Sequence, residues 1–208
     1  MQVFWRRVGT GSAIAALALL GLEHLVNAAA SHLDPVHHWL SEYVLSPSPA
    51  ARYMMFAAFI LLGCAAASVA ALSQHLAPKA LFAVSSASLV AMAFFNTDPN
   101  DGKDYPFRWP LSAGNVHQLL LYAAIGATIA GMALQTIWLA DPARRRRLLE
   151  LSLLAVTIAA TAIQVGLVAR SLPGKTYYGG VTERIVVVAM LGWVLSYCAR
   201  ASNPARPD

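Results

Sequence analysis

A chain of 208 residues with 58% hydrophobic and only 12% charged residues falls in the membrane composition class, because a single water-soluble core could not hide so much apolar surface. Its formal charge of +5 does not indicate a nucleic-acid partner: the one dense run, Arg144 to Arg147, is short, sits between two apolar stretches and has no interleaved aromatics. Cys64 and Cys198 both fall inside apolar stretches, which excludes an external disulfide framework and gives no basis for thiol chemistry.

The first apolar stretch runs from about 8 to 30. Arg6-Arg7, the apolar run from Ala13 to Leu22 and Ala28-Ala29-Ala30 imitate a secretory signal. Glu23, His24 and Asn27 interrupt it just before the apparent cleavage site, so a retained membrane anchor is expected. A loop over 31–50 follows, with Pro35, Pro47 and Pro49, and then a second stretch over 51–72. The third stretch, 80–96, is short for a helix that needs roughly 20 residues to cross hydrocarbon. After it, the loop 97–113 carries Pro99, Pro106 and Pro110. Both loops should be shaped rather than floppy, since each proline ring fixes one backbone dihedral and restricts its predecessor. The fourth stretch, 114–140, is long, so tilt must absorb the difference. The fifth covers 148–169 and the sixth 181–199. Residues 1–200 form one domain on this reading, and 201–208, with Pro204 and Pro207, are expected to be a disordered tail. Continuous runs rich in Ala, Leu and Gly, without two-residue alternation, predict helices rather than a barrel. The expected fold is an all-α bundle of six transmembrane helices.

Lys and Arg resist translocation, so their distribution predicts orientation. One side collects nine: Arg6, Arg7, Lys79, Arg144 to Arg147, Arg200 and Arg206. The other has six, Arg52, Lys103, Arg108, Arg170, Lys175 and Arg184, among several acids. Both termini are therefore expected in the cytoplasm of a bacterial-type cell, with the protein in its cytoplasmic (inner) membrane. Trp39, Tyr43, Tyr53, Tyr105, Phe107, Trp109, Tyr177 and Tyr178 crowd the external boundary and read as an interfacial belt. Within the spans, small and weakly polar residues recur at helical spacing: Gly63, Ala67 and Ala70, then Thr128, Gly131 and Gln135, then Thr157, Thr161 and Gln164. Such faces allow close helix approach and interhelical hydrogen bonds, or they line a cavity.

Ionisable groups collect near the external ends of the spans: Glu23 and His24, Asp98, His117, Glu183 and Arg184, with Glu42 in Ser41-Glu42-Tyr43 just before the second stretch. Near lipid such groups are costly unless paired or hydrated, so they should turn inward and share one pocket. Asn27 lies one turn from Glu23 and His24, placed to orient either. The tentative catalytic residues are Asp98, His117 and Glu42, and the ligand-binding set is Glu23, His24, Asn27, Tyr43, Glu183 and Arg184.

The elements Ser41-Glu42-Tyr43, Leu62-Gly63, Phe94 to Pro99, Gly114 to His117, and Gly180 with Glu183-Arg184 before Trp193 resemble the bacterial membrane family DUF998. The resemblance implies a six-helix membrane protein with a Phe-x-x-Asp element after the third span, Gly-x-x-His opening the fourth and Glu-Arg opening the last. This chain departs from it in having Asn96 where proline is common, and in a long charged loop after Asp98. No agreed activity attaches to the family, so it implies a fold and a pocket without a reaction.

Binding of a lipid-like amphiphile is the first functional expectation, with membrane lipids as surroundings, an apolar pocket floor and Arg184 meeting a carboxylate or phosphate. The alternative is a membrane-embedded enzyme in which Asp98 or Glu42 works with His117 on a lipid or isoprenoid substrate. A metal version would use His24, His117, Asp98 and Glu42, although no His-Glu-x-x-His element occurs and His37-His38 do not share a face. Haem on His24 and His117 is a lesser option, and no span carries the interruptions of a transporter. Neither a cofactor nor an oligomeric state follows from the sequence.

Overall fold

The computed structural model describes residues 1–30, 36, 38, 40–97, 112–138, 144–169 and 179–200. Among these, the chain is all-helical: α1 (Gln2–Ala30), a short 3-10 helix (Leu40–Leu45), α2 (Pro49–Leu72), α3 (Leu76–Met92), α4 (Ala113–Trp138), α5 (Arg144–Ala169) and α6 (Gly179–Arg200). All but the 3-10 helix correspond to the six expected stretches. Five of the α-helices are long and apolar enough to cross a membrane; α3 is apolar but only 17 residues long.

The boundaries have local causes. Pro49 opens α2, where its missing N–H removes only a donor that a first turn leaves unpaired anyway. At its other end the Ser73 N–H and hydroxyl both bond the Val69 carbonyl, at 2.9 and 2.7 Å, and stop the helix. α3 begins at Leu76 rather than 80, because Pro78 is tolerated in the first turn. It also ends at Met92 rather than 96. Ala93 donates to Val90 and Phe94 to Ala91, three residues back, and these tight bonds close the helix.

Sequential helices α1, α2, α3 and α4 pack side by side, α5 packs chiefly on α6, and α6 returns against α1. Arg6 donates to the Cys198 carbonyl at 3.3 Å, so the start of α1 and the end of α6 lie at one end of the bundle. The contact between α4 and α5 is thin, and α5 presents Leu148, Leu149, Val156, Ile163 and Val165 outward, as a lipid-facing helix should.

Close approach depends on small residues. A Cβ on Gly63 would stand 2.6 Å from Val90 Cγ2, and one on Gly131 would stand 2.7 Å from the Phe82 ring. Ser86 donates to the Gly63 carbonyl at 2.8 Å, and the Ser85 and Thr128 hydroxyls pair at 2.6 Å between α3 and α4. On α5 the outcome differs from expectation: Thr157 and Thr161 donate to carbonyls of their own helix, at Leu153 and Thr157, because the thin α4 contact offers no nearer acceptor. Phe82, Trp193 and Tyr197 stack successively, at 5.7 and 5.2 Å between ring centres, in the middle of the core. Below them, Gln135 donates to Ser73 and Tyr197, and Arg200 pairs with the buried Glu150 at 2.7 Å.

Candidate functional site: a polar head above an apolar cavity

Three elements converge at the opposite end of the bundle from Arg6. The penultimate turn of α1 carries Glu23 and His24, the 3-10 helix carries Glu42 and Tyr43, and the first turns of α6 carry Glu183 and Arg184. Arg184 is the hub. Its Nε donates to His24 Nε2 at 3.0 Å, Nη1 to the Gly180 and His38 carbonyls at 2.7 and 3.0 Å, and Nη2 to the Tyr43 hydroxyl at 2.8 Å. Its guanidinium also lies 5.2 Å from the centre of the Tyr43 ring, which meets the His24 ring edge-on. A planar fork of donors suits this divergent set of acceptors in a way that a lysine could not.

Glu183 faces the other way. Its Oε2 accepts the Leu40 backbone N–H at 2.6 Å. That donor opens the 3-10 helix and has no partner within it, so a carboxylate from α6 serves as the cap. Val181 N donates to the Val36 carbonyl at 3.3 Å, a backbone tie between the first loop and α6 beside those made by side chains. Glu42 is buried and lies near enough to Glu183 for their charges to oppose each other.

Glu23 is the outlying member. It is 0% exposed, and neither carboxyl oxygen has a hydrogen-bond partner among the described residues. Arg184 exerts an attraction on it, but no ion pair joins the two. Asn27 turns its amide to the Glu23 backbone carbonyl at 3.1 Å, so it does not orient the carboxyl as the sequence suggested. Nδ1 of His24 is likewise buried without a partner.

Beneath this polar head lies an apolar cavity of about 80 Å³. On α6 it is bordered by Glu183, Val186, Val187, Met190, Leu191 and Val194, one helical face that runs for about 16 Å at 1.5 Å per residue. Leu20, Leu40, Phe59 and Phe82 contribute from α1, the 3-10 helix, α2 and α3. Thr128 and Glu183 are the polar residues among its lining. Leu20 stands one turn before Glu23 and His24 on α1, which puts those groups on the same helical face, one turn beyond the lining.

His117 occupies a neighbouring position. Its Nδ1 bonds the Phe95 carbonyl at 2.6 Å and its ring meets Phe59 edge-on, with Phe59 as the wall between it and the cavity. The structure therefore brings Glu23, His24, Glu42, Tyr43, Glu183 and Arg184 together around one hub and sets His117 beside them against Phe59. Asp98 lies outside the described residues, as do Trp39, Tyr105, Phe107, Trp109, Tyr177 and Tyr178.

One expectation is corrected. Tyr43 is fully buried under Arg184 rather than in the interfacial belt, since its ring and hydroxyl both serve the guanidinium. Within the protein Arg184 meets an imidazole, a phenol and two carbonyls, because α6 presents it toward α1 and the first loop. Among the described residues no three His, Cys, Asp or Glu side chains gather as metal ligands would; Nε2 of His24 accepts from Arg184.

Sequence reasoning missed the Glu150–Arg200 pair. Glu150 is the sole acid of the fifth stretch, and an acid in so apolar a segment is itself a sign of a partner.

An all-helical bundle with five helices of membrane-crossing length and buried polar groups at each end defines a multi-pass membrane protein. The chain belongs to the DUF998 family of proteins of unknown function, whose profile matches residues 10–200. No curated protein and no solved structure matches it significantly.

Proposed function

We propose that the protein spans a bacterial cytoplasmic membrane six times, with both ends in the cytoplasm, and binds a lipid-like amphiphile: chain in the central cavity, head among the polar groups above it. An even number of crossings is supported by Arg6 lying beside Cys198, and the inward ends by the nine-to-six bias of basic residues. α3, at about 25 Å from 1.5 Å per residue, reaches nearly across the hydrocarbon, which adjusts to short helices at small cost.

The observation that carries the binding reading is the apolar cavity whose α6 lining runs from Glu183 to Val194. An apolar cavity with a carboxyl at one end of its lining suits a chain with a polar head. The acid–base alternative on Asp98, His117 and Glu42 has no comparable observation behind it.

The test is native mass spectrometry of the detergent-purified protein alongside a cavity-filling variant. Ala124, buried in the lining, becomes leucine in Ala124→Leu. The expected result is a co-purifying amphiphile in the parent protein and its loss in a monodisperse Ala124→Leu. Equal retention by both would place the ligand elsewhere and end this reading.

A further inference from the structure

We propose that the head of the cavity selects a cationic group, an ammonium held by Glu23 with Glu183 and Glu42 beside it, rather than the carboxylate or phosphate that Arg184 suggests at first sight. The inference rests on the binding reading above and names the head-group chemistry of that same site.

The donors of Arg184 point at His24, Tyr43 and two backbone carbonyls. Four of the five N–H bonds of a guanidinium are thereby committed to neutral acceptors. An anionic head could take only the fifth N–H as it stands, and a two-pronged grip would displace a bond and leave its present acceptor unpaired.

Among the described residues that converge here, three carboxyl groups accompany this one cation. Glu23, Glu42 and Glu183 are all buried within the same end of the bundle. Glu183 has one donor, the Leu40 N–H, while both oxygens of Glu23 lack any partner among the described residues. A fully buried carboxyl without donors is an expensive arrangement in an apolar surround. An ammonium offers three N–H donors and the opposing charge, and so corrects both deficits at once. Position agrees with chemistry: Glu183 itself lines the cavity, and Glu23 stands one helical turn beyond the lining residue Leu20 on α1, so a head group at that end of the cavity meets Glu183 first and lies within a turn of Glu23.

The same ammonium could belong to a single-chain amine or to an ethanolamine-type lipid. Thermal-shift titration of the full chain in non-ionic detergent with dodecylamine, dodecanol, dodecanoate and dodecyl phosphate tests the preference without a variant. Dodecylamine should half-saturate at a concentration lower than the others by about tenfold, the scale of one charged hydrogen bond. Glu23→Gln, an isosteric change, should bring the half-saturation of dodecylamine to that of dodecanol in the same variant; Glu183→Gln serves as a second reading if the first variant folds poorly. Displacement of dodecylamine by phosphatidylethanolamine but not phosphatidylglycerol assigns the ammonium to a lipid, and its persistence assigns it to a single-chain amine. Tighter binding of dodecanoate or dodecyl phosphate, or an amine preference unchanged in both variants, overturns the proposal. Four probes that bind alike would leave chain binding standing and remove the head-group inference, whereas four that fail to bind would remove both.

Discussion

The Nε–H of Arg184 is bonded to Nε2 of His24 at 3.0 Å across 160 residues of sequence. That bond joins the last helix to the first, and the Tyr43 hydroxyl and the His38 carbonyl bring the first loop into the same joint. It also fixes the tautomer of His24, since an imidazole that accepts at Nε2 carries its proton at Nδ1 when neutral.

Replacement of this hub tests whether it holds the bundle end together. Arg184→Ala should lose about 2 to 4 kcal/mol of stability, the scale of several bonds to a partly buried charge. Arg184→Lys should recover only part of it, because one ammonium cannot reach acceptors that diverge around a planar fork. Thermal unfolding in detergent is the measurement, and a lysine variant as stable as the parent would show that charge alone suffices.

At the other end, the Arg200–Glu150 bond of 2.7 Å ties α5 to α6, and Ser196 adds a weaker bond at 3.3 Å. Removal of one partner should cost about 3 to 5 kcal/mol, because the other charge stays buried. Glu150→Ala and Arg200→Ala should each show this loss. The double change Glu150→Gln with Arg200→Met should cost less than either alone, and a simple sum of the single effects would contradict the pairing.

Glycines separate packing from propensity. Gly131→Ala places a methyl group 2.7 Å from the Phe82 ring and should cost about 1 to 3 kcal/mol, as overpacked cores do. Gly126, on the same helix, has open space at its Cβ position, so Gly126→Ala should be neutral or gain up to about 1 kcal/mol from helix propensity. Equal effects would mean that α4 does not approach α3 as closely as described.

Orientation is open to chemical labelling. With Cys64 and Cys198 changed to serine, Tyr53→Cys at the Glu23 end should react in intact cells with a membrane-impermeant thiol reagent. Gln74→Cys, exposed just beyond α2 at the end that holds Arg6, should react only after lysis. The reverse pattern would invert the proposed topology.

Much of the fold was legible because lipid imposes it. Each expected stretch corresponds to an α-helix, with ends displaced by a few residues where Pro78 and the turn after Met92 acted locally. The gathering of Glu23, His24, Glu183 and Arg184 was legible for the same reason: charges at similar depth beside hydrocarbon must face inward. What each one meets was not legible. Arg184 takes the imidazole of His24 from the first helix, Tyr43 leaves the boundary for the core, and Thr157 and Thr161 bond within α5 because α4 stands off.

Composition and spacing by themselves determined the solvent, the helices and their number, because an apolar run in lipid must satisfy its backbone internally and the length of the run limits how far it reaches. Only the tertiary structure decided the pairings His24 with Arg184, Leu40 with Glu183 and Glu150 with Arg200, and with them the cavity between the helices. Partners of that kind come from segments far apart in the chain, and which atoms fall within hydrogen-bonding reach depends on how helices rotate and stack, information that no single segment contains.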